Sequence, residues 1–338
     1  MKLGINLYLW TDHMHDGLLP VLESLKRIGY DGVEVPVFDL DEATWARWGQ
    51  RLDDLGLERT ANTVIAPQWN PLSADPAVQQ AAYQHMQAVI NCCAAVGSTL
   101  LCGPHQVALG VFTGAGPSDE EWARSVRHLR RVAEYAAAAG VRLAEEVVNR
   151  FELYHLNTID QAIRFVDEVG HPNCQIHLDT FHAHIEEKDP AAAIRRAGSR
   201  IGHVHISEND RGVPGTGSVA WDSTFGALQD IGYDGWLTVE AFGNSLPNLA
   251  AATKIWRKLF DNEEQLASDA YAFLSSKNWT AVPRKVLFLS SERAVVRAPE
   301  PLPRHPHGTT PYSSSVRRTS SSSRPSASTR SSTPNSAA

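Results

Sequence analysis

Short apolar runs alternate with longer stretches of helical periodicity over roughly the first 240 residues of the chain. The runs at Leu3–Leu9, Gly32–Pro36, Glu58–Ile65, Thr99–Cys102, Val141–Glu146, Gln175–Asp179, Ile201–Ile206 and Trp236–Glu240 each read as a strand. Between and after them, apolar residues recur at helical spacing over Leu18–Ile28, Asp41–Leu55, Pro76–Val96, Ser118–Ala139, Thr158–Val169, Pro190–Ala197 and Asp222–Ile231, and then over Pro247–Phe260 and Glu263–Ser276. Gly29 and Gly97 stop two of these helices, and Ser118-Asp119-Glu120-Glu121 opens another with a capping box. Eight strands, each followed by a helix, predict an α/β fold of the closed (β/α)8 TIM-barrel type. A doubly wound open sheet would normally carry a glycine-rich turn after its first strand, and Asn6–Trp10 contains none.

The pattern ends near Trp279. Residues 280–338 form a Ser/Pro/Arg-rich tract that includes Ser320-Ser321-Ser322-Ser323. Such a segment has too little apolar surface to offset its ordering entropy, so a disordered tail is expected after a barrel domain spanning 1–279. The tail holds nine Lys/Arg against two Asp/Glu, so the net charge of −7 splits into +7 there and −14 before it. A body that acidic repels nucleic acid and suits a cation. Four cysteines without metal or redox spacing form no disulfide framework. No apolar run reaches membrane length and the N-terminus has no signal-peptide pattern, so a soluble cytoplasmic protein is expected.

Four of the strands finish in residues that bind cations: Glu146 on the fifth, Asp179 on the sixth, His205 on the seventh and Glu240 on the eighth. A lone glutamate at a strand end is usually a solvated loop residue, and a lone histidine in a strand is usually a hydrogen-bonded core residue. Four at equivalent ends of successive strands would instead converge at the C-terminal mouth of a barrel. Three carboxylates and one imidazole are too rich in oxygen for a structural zinc site, and they suit Mn²⁺, Co²⁺ or Mg²⁺ with room for substrate oxygens. His203 shares a face with His205 but lies deeper, as a packed residue. Trp10, Trp69-Asn70-Pro71 and Phe112 are candidates to line the mouth. Gly215-Thr216-Gly217 reads as a tight turn in preference to a phosphate loop. With no P-loop and no Ser-His-Asp elbow, no organic cofactor is called for.

Glu146-Val147-Val148-Asn149-Arg150-Phe151-Glu152, Asp179-Thr180-Phe181-His182 with Ile185-Glu186-Glu187, and His203-Val204-His205 with Arg211 and Pro214-Gly215 resemble the D-tagatose/D-psicose (ketose) 3-epimerases of the xylose-isomerase-like barrels. The resemblance runs over about residues 1–279. It implies that Glu146, Asp179, His205 and Glu240 hold a divalent metal, Mn²⁺ or Co²⁺ in most of the family. It also implies that Glu152, His182 and Arg211 hold the sugar and that the barrels associate as dimers or tetramers. The expected reaction is epimerisation of a ketose at C3 through an enediolate, with Glu146 and Glu240 exchanging the roles of base and acid. Other isomerases on the same barrel, of aldose–ketose or hydroxypyruvate type, and a keto-inositol dehydratase are the alternatives. An apurinic-site endonuclease would need more histidine ligands and a basic face. The chain departs from the family at Glu145, where an apolar residue is usual, so Glu145 should face the helices and find a partner there. It also departs at Asn6 and Met14, where aromatics are frequent, and it shows no obvious aromatic for the mouth within His105–Phe112.

Overall fold

A computed structural model of the chain describes residues 1–277. Eight parallel strands, β1 (Lys2–Asn6), β2 (Gly32–Pro36), β3 (Glu58–Asn62), β4 (Leu100–Gly103), β5 (Arg142–Glu146), β6 (Cys174–Asp179), β7 (Ile201–Ile206) and β8 (Trp236–Val239), close into one barrel in chain order. Closure runs through the pairing of β1 with β8, with Lys2 opposite Trp236 and Ile5 opposite Val239. Around the barrel lie α1 (Leu19–Ile28), α2 (Glu42–Asp54), α3 (Pro76–Val96), α4 (Asp119–Ala138), α5 (Ile159–Val169), α6 (Thr180–Glu186), α7 (Pro190–Ala197), α8 (Trp221–Asp230), α9 (Pro247–Thr253) and α10 (Glu263–Ser275). The barrel expected from the strand–helix alternation is therefore present. The tail expected over 280–338 lies outside the described residues. No described helix is long and apolar enough to cross a membrane.

The third strand, expected over Glu58–Ile65, ends at Asn62, and three further elements differ from the sequence reading for identifiable local reasons. The first strand stops at Asn6 and does not run on to Leu9, because the Asn6 side chain accepts from the Tyr8 amide at 2.8 Å and turns the chain into a 3₁₀ turn. Leu7, Tyr8 and Leu9 are all buried in that turn, so their apolarity imitates a strand. The helix expected over Pro247–Phe260 ends at Thr253, where Lys254 adopts a left-handed backbone (φ 64°) and closes it. Helix α6 was not anticipated. It has seven residues and begins where the Asp179 carboxylate, itself a strand end, caps the amide of Phe181 at 2.7 Å. Elsewhere local signals and structure agree: Ser118 and Glu121 form the reciprocal capping box that opens α4, and Thr158 and Gln161 form another at α5.

Two cores result. Leu22 and Leu25 of α1, Trp45, Trp48 and Leu52 of α2, and Val89 and Ile90 of α3 pack with Val33 and Val35 of β2 in the layer between strands and helices. Inside the barrel, Trp236 packs with Leu100, Cys102 and Ala144 in a separate cluster. The Trp236 ring fits because Gly32 has no side chain: a Cβ there would come within 2.8 Å of the ring and 2.3 Å of the Glu58 carbonyl oxygen. Beyond this floor the buried side chains of the strands become polar, with Glu34, Thr60, His177, His203 and His205 all almost inaccessible to solvent. Polar groups cannot be buried without partners, so this part of the barrel must be organised by hydrogen bonds.

Candidate active site at the C-terminal mouth

The four strand ends meet. One ligand-type atom from each of Glu146, Asp179, His205 and Glu240 lies within 4.8 Å of the others, and all four residues are buried. The register explains the meeting: Asp179 stands directly opposite His205 on the neighbouring strand, and Glu240 follows the last residue of β8. Its amide donates to Ile206 at 3.2 Å, which holds it beside β7. Nδ1 of His205 points among the acids, 3.3 Å from Glu240 Oε1 and 3.9 Å from Asp179 Oδ2. It is buried and makes no hydrogen bond.

Arg211 reaches across the group. Its Nη1 donates to Asp179 Oδ2 and to Glu240 Oε2, each at 2.7 Å, while its guanidinium lies 4.0 Å from the Phe181 ring centre and 5.0 Å from that of Phe242. Its backbone is left-handed (φ 65°), an unfavourable state for a side-chain-bearing residue. His182, from α6, has Nε2 at 3.4 Å from Glu146 Oε1 and 3.0 Å from Arg211 Nη2. Its Nδ1 accepts from the Asn149 amide at 3.2 Å, and Asn149 Nδ2 also donates to Glu152 at 2.7 Å. The loop after β5 is further clamped to α6 by Arg150, which donates to both oxygens of Glu186. Glu152, His182 and Arg211, implied by the resemblance to hold a sugar, thus stand around one cavity with Glu146 and Glu240.

That cavity measures about 160 Å³. Its wall includes Tyr8, Phe38, Asn62, Leu109, Val148 and Phe242. Tyr8 and Phe38 supply aromatics at the N-terminal side of the chain, where Asn6 and Met14 had left a gap. The other mouth candidates do not line it: Trp69 stacks on His85 at 3.7 Å, Trp10 lines a groove against α1, and Phe112 is half exposed. Glu145 turns outward as expected, and its partner is His105, at 2.9 Å in full burial. His203 lies deeper, also as expected, with Nε2 2.8 Å from Glu34.

The charges interact strongly. Burial pushes the Glu146 carboxyl above the ordinary range, and the neighbouring His182 only partly opposes this. Burial acts the same way on Asp179, but Arg211, His182 and His205 outweigh it and hold that carboxyl well below the usual range. His205 is pushed down by burial and raised well above its ordinary value by Glu240 and Glu34. Gly215-Thr216-Gly217 is no phosphate loop. The amides of Asn209, Gly215 and Val219, together with the Trp221 indole, donate at 2.8–3.0 Å to the buried carboxylate of Glu208. An anion of the chain's own already occupies that nest.

The sequence reading missed Glu34, Asn6, Tyr8, Asn62, Cys102 and Asn149. A signal for Glu34 existed, since it is the single charged residue in a strand otherwise made of Gly, Val, Val and Pro. A charge in a fully buried strand requires partners.

A parallel barrel with three acids and a histidine converging at its C-terminal mouth defines a class of enzymes that act on small polar substrates at strand ends. Residues 22–276 match the family of xylose isomerase-like TIM barrels. The chain is 34% identical over 280 residues to an L-ribulose 3-epimerase of Methylomonas sp. (strain DH-1), covering 82% of this chain and 98% of that one. It is also 34% identical over 284 residues to a ketose 3-epimerase of Arthrobacter globiformis, covering 82% and 96%. Its fold superposes with a TM-score of 0.77 on the crystal structure of a D-allulose 3-epimerase from Methylomonas sp. in complex with D-allulose, at 33% identity over 82% of this chain and 97% of that one. The chain belongs to the ketose 3-epimerases of the xylose isomerase-like TIM-barrel family, and it is an isomerase of the carbohydrate-epimerase kind.

Proposed function

We propose that the protein epimerises an unphosphorylated ketose at C3 by removing and returning a proton, with Glu146 and Glu240 as the two proton-transfer groups and a divalent cation as cofactor. The observation that carries this reading is the convergence of the two glutamates, from β5 and from just past β8, on one cavity. The donor set fits a cation. Three carboxylates so close together repel one another, and the buried, unpartnered Nδ1 of His205 is a lone-pair donor aimed among them. Glu146, Asp179, His205 and Glu240 would hold the ion, and the oxygen-rich set favours Mn²⁺, Co²⁺ or Mg²⁺. When bound, such an ion supplies polarisation of the C2 carbonyl and stabilisation of the negative charge that develops on O2.

The chain's own residues supply the rest. One glutamate takes the hydrogen from C3 as a proton, leaving the electron pair delocalised toward C2. The other delivers a proton to the opposite face, and the roles reverse in the return reaction. Arg211 holds Glu240 and Asp179 in place while stacked between Phe181 and Phe242, and with Glu152 and His182 it offers hydrogen bonds to sugar hydroxyls. Among the lining residues the cationic side chains are Arg211 and His182, both engaged with the acids, and the remaining wall is largely apolar. This supports a neutral sugar over a phosphorylated one.

The test is incubation with free and phosphorylated ketohexoses and ketopentoses in D₂O with Mn²⁺ added. The expected product is the C3 epimer of a free ketose carrying deuterium at C3. An aldose product, or an epimer without deuterium, would overturn the two-glutamate mechanism.

A further inference from the structure

Below the four strand ends lies a polar group that the proposed chemistry does not use. Ligand-type atoms of Cys102, His177 and His203 cluster with His205 within 4.8 Å of one another, and Glu34 stands among them. The Glu34 carboxylate is fully buried and fully engaged. Oε1 accepts from His205 Nε2 at 2.7 Å and from Asn6 Nδ2 at 2.9 Å. Oε2 accepts from Thr60 Oγ1 at 2.8 Å and from the Cys102 thiol at 3.1 Å, with His203 Nε2 2.8 Å away.

An ionised carboxylate can only accept. The hydrogen between Glu34 and His205 therefore sits on Nε2, and with a cation in place of a second proton the ring would present a bare Nδ1 to the acids on its other side. The Asn6 amide is fixed in the same way. Its oxygen accepts from the Tyr8 amide at 2.8 Å, so its nitrogen faces both Glu34 and Glu240 Oε1, the latter at 3.2 Å. One carboxylate on β2 thus reaches two of the four proposed ligands, His205 directly and Glu240 through Asn6.

We propose that Glu34 is the positioning residue of the cation site, selecting the His205 tautomer that offers Nδ1 to the ion and, through Asn6, setting the orientation of Glu240. This rests on the reading of Glu146, Asp179, His205 and Glu240 as cation ligands. Carboxylates that hold a ligating histidine from behind commonly change metal affinity 10- to 100-fold when removed, and Glu34→Gln keeps the shape while losing the charge.

Two measurements test it. In the Mg²⁺-loaded wild-type protein with ¹⁵N-labelled histidine, long-range ¹H–¹⁵N correlation should show the His205 hydrogen on Nε2. Electron paramagnetic resonance titration should show one Mn²⁺ per wild-type chain, bound 10- to 100-fold more weakly by Glu34→Gln with an unchanged circular dichroism spectrum. A hydrogen on Nδ1, or an unchanged Mn²⁺ affinity in Glu34→Gln, would overturn the positioning role while leaving the cation site standing. Absence of Mn²⁺ binding to the wild type would overturn both. A second ion per chain that disappears in Cys102→Ala would also overturn the proposal, since His205 Nε2 would then be a ligand of a deeper site. Should Glu34→Gln fail to fold, the wild-type tautomer decides the matter alone.

Discussion

Strands β5 to β8 deliver Glu146, Asp179, His205 and Glu240 to the mouth of the barrel, whereas β1 to β4 carry Asn6, Glu34, Asn62 and Cys102. The first group has ligand atoms facing one another, including a histidine nitrogen with no hydrogen bond. The second is tied into itself and into its neighbours: Tyr8 donates to Asn62 at 3.0 Å, Asn62 to the Cys102 sulfur at 3.4 Å, and Cys102 to Glu34. One half of the barrel gathers acids, two of them bridged by Arg211, around a histidine nitrogen without a hydrogen bond, and the other half satisfies its own groups. The contrast teaches that one half of a barrel can bring ligand-type atoms face to face when the other half forms a hydrogen-bonded wall opposite them.

If the division is right, the largest effects come from the proton-transfer groups. Glu146→Gln or Glu240→Gln should lower kcat by about 10³-fold or more while leaving the fold intact, measured as epimer formation alongside circular dichroism. Retention of a tenth of the activity would break the comparison at its centre. Next, Asp179→Asn and His205→Ala should each weaken Mn²⁺ binding by more than about 100-fold, since losing a ligand costs more than losing the group behind one. Calorimetric titration giving wild-type affinity would remove either residue from the ligand set.

Glu145 offers a sharper contrast, because it precedes Glu146 and points the other way. Glu145→Gln should lower stability by about 1–3 kcal/mol through the damaged pair with His105, with Mn²⁺ affinity unchanged. A loss of metal without a loss of stability would show that the two faces of β5 had been exchanged. The smallest effect is expected from the other half of the barrel. Tyr8→Phe removes one buried hydrogen bond to Asn62, worth about 1 kcal/mol. It should lower unfolding stability by about that amount and leave Mn²⁺ affinity within error, as read from denaturant unfolding and titration.

The division also marks what the sequence could and could not disclose. The convergence of Glu146, Asp179, His205 and Glu240 was legible because each stands at a strand end, where charge is permitted at a barrel mouth. Glu145 was legible too, since alternation along β5 sends it away from the lumen and burial then demands a partner. That the partner is His105 was not, because nothing in a sequence pairs a loop residue with a strand forty positions away. Asn6 read as a departure from its relatives, yet it ends β1, caps the following turn and bridges Glu34 to Glu240. Such multiple roles emerge only when four strands are brought together. Helix α6 escaped because its cap, Asp179, had already been assigned to a strand.

The carboxylate of Glu208 has a consequence for how fast a sugar can be received. Three backbone amides and an indole between residues 209 and 221 are held by it, and this is the segment that carries Arg211 into the site. The chain entropy of that segment is therefore lost during folding and not at each encounter. Sugar should meet a finished wall, with an observed association rate that rises in proportion to concentration and shows no slower ordering phase. Amide hydrogens of Gly215 and Val219 should resist exchange with solvent before any sugar is present, as expected of a loop whose order is internal to the protein.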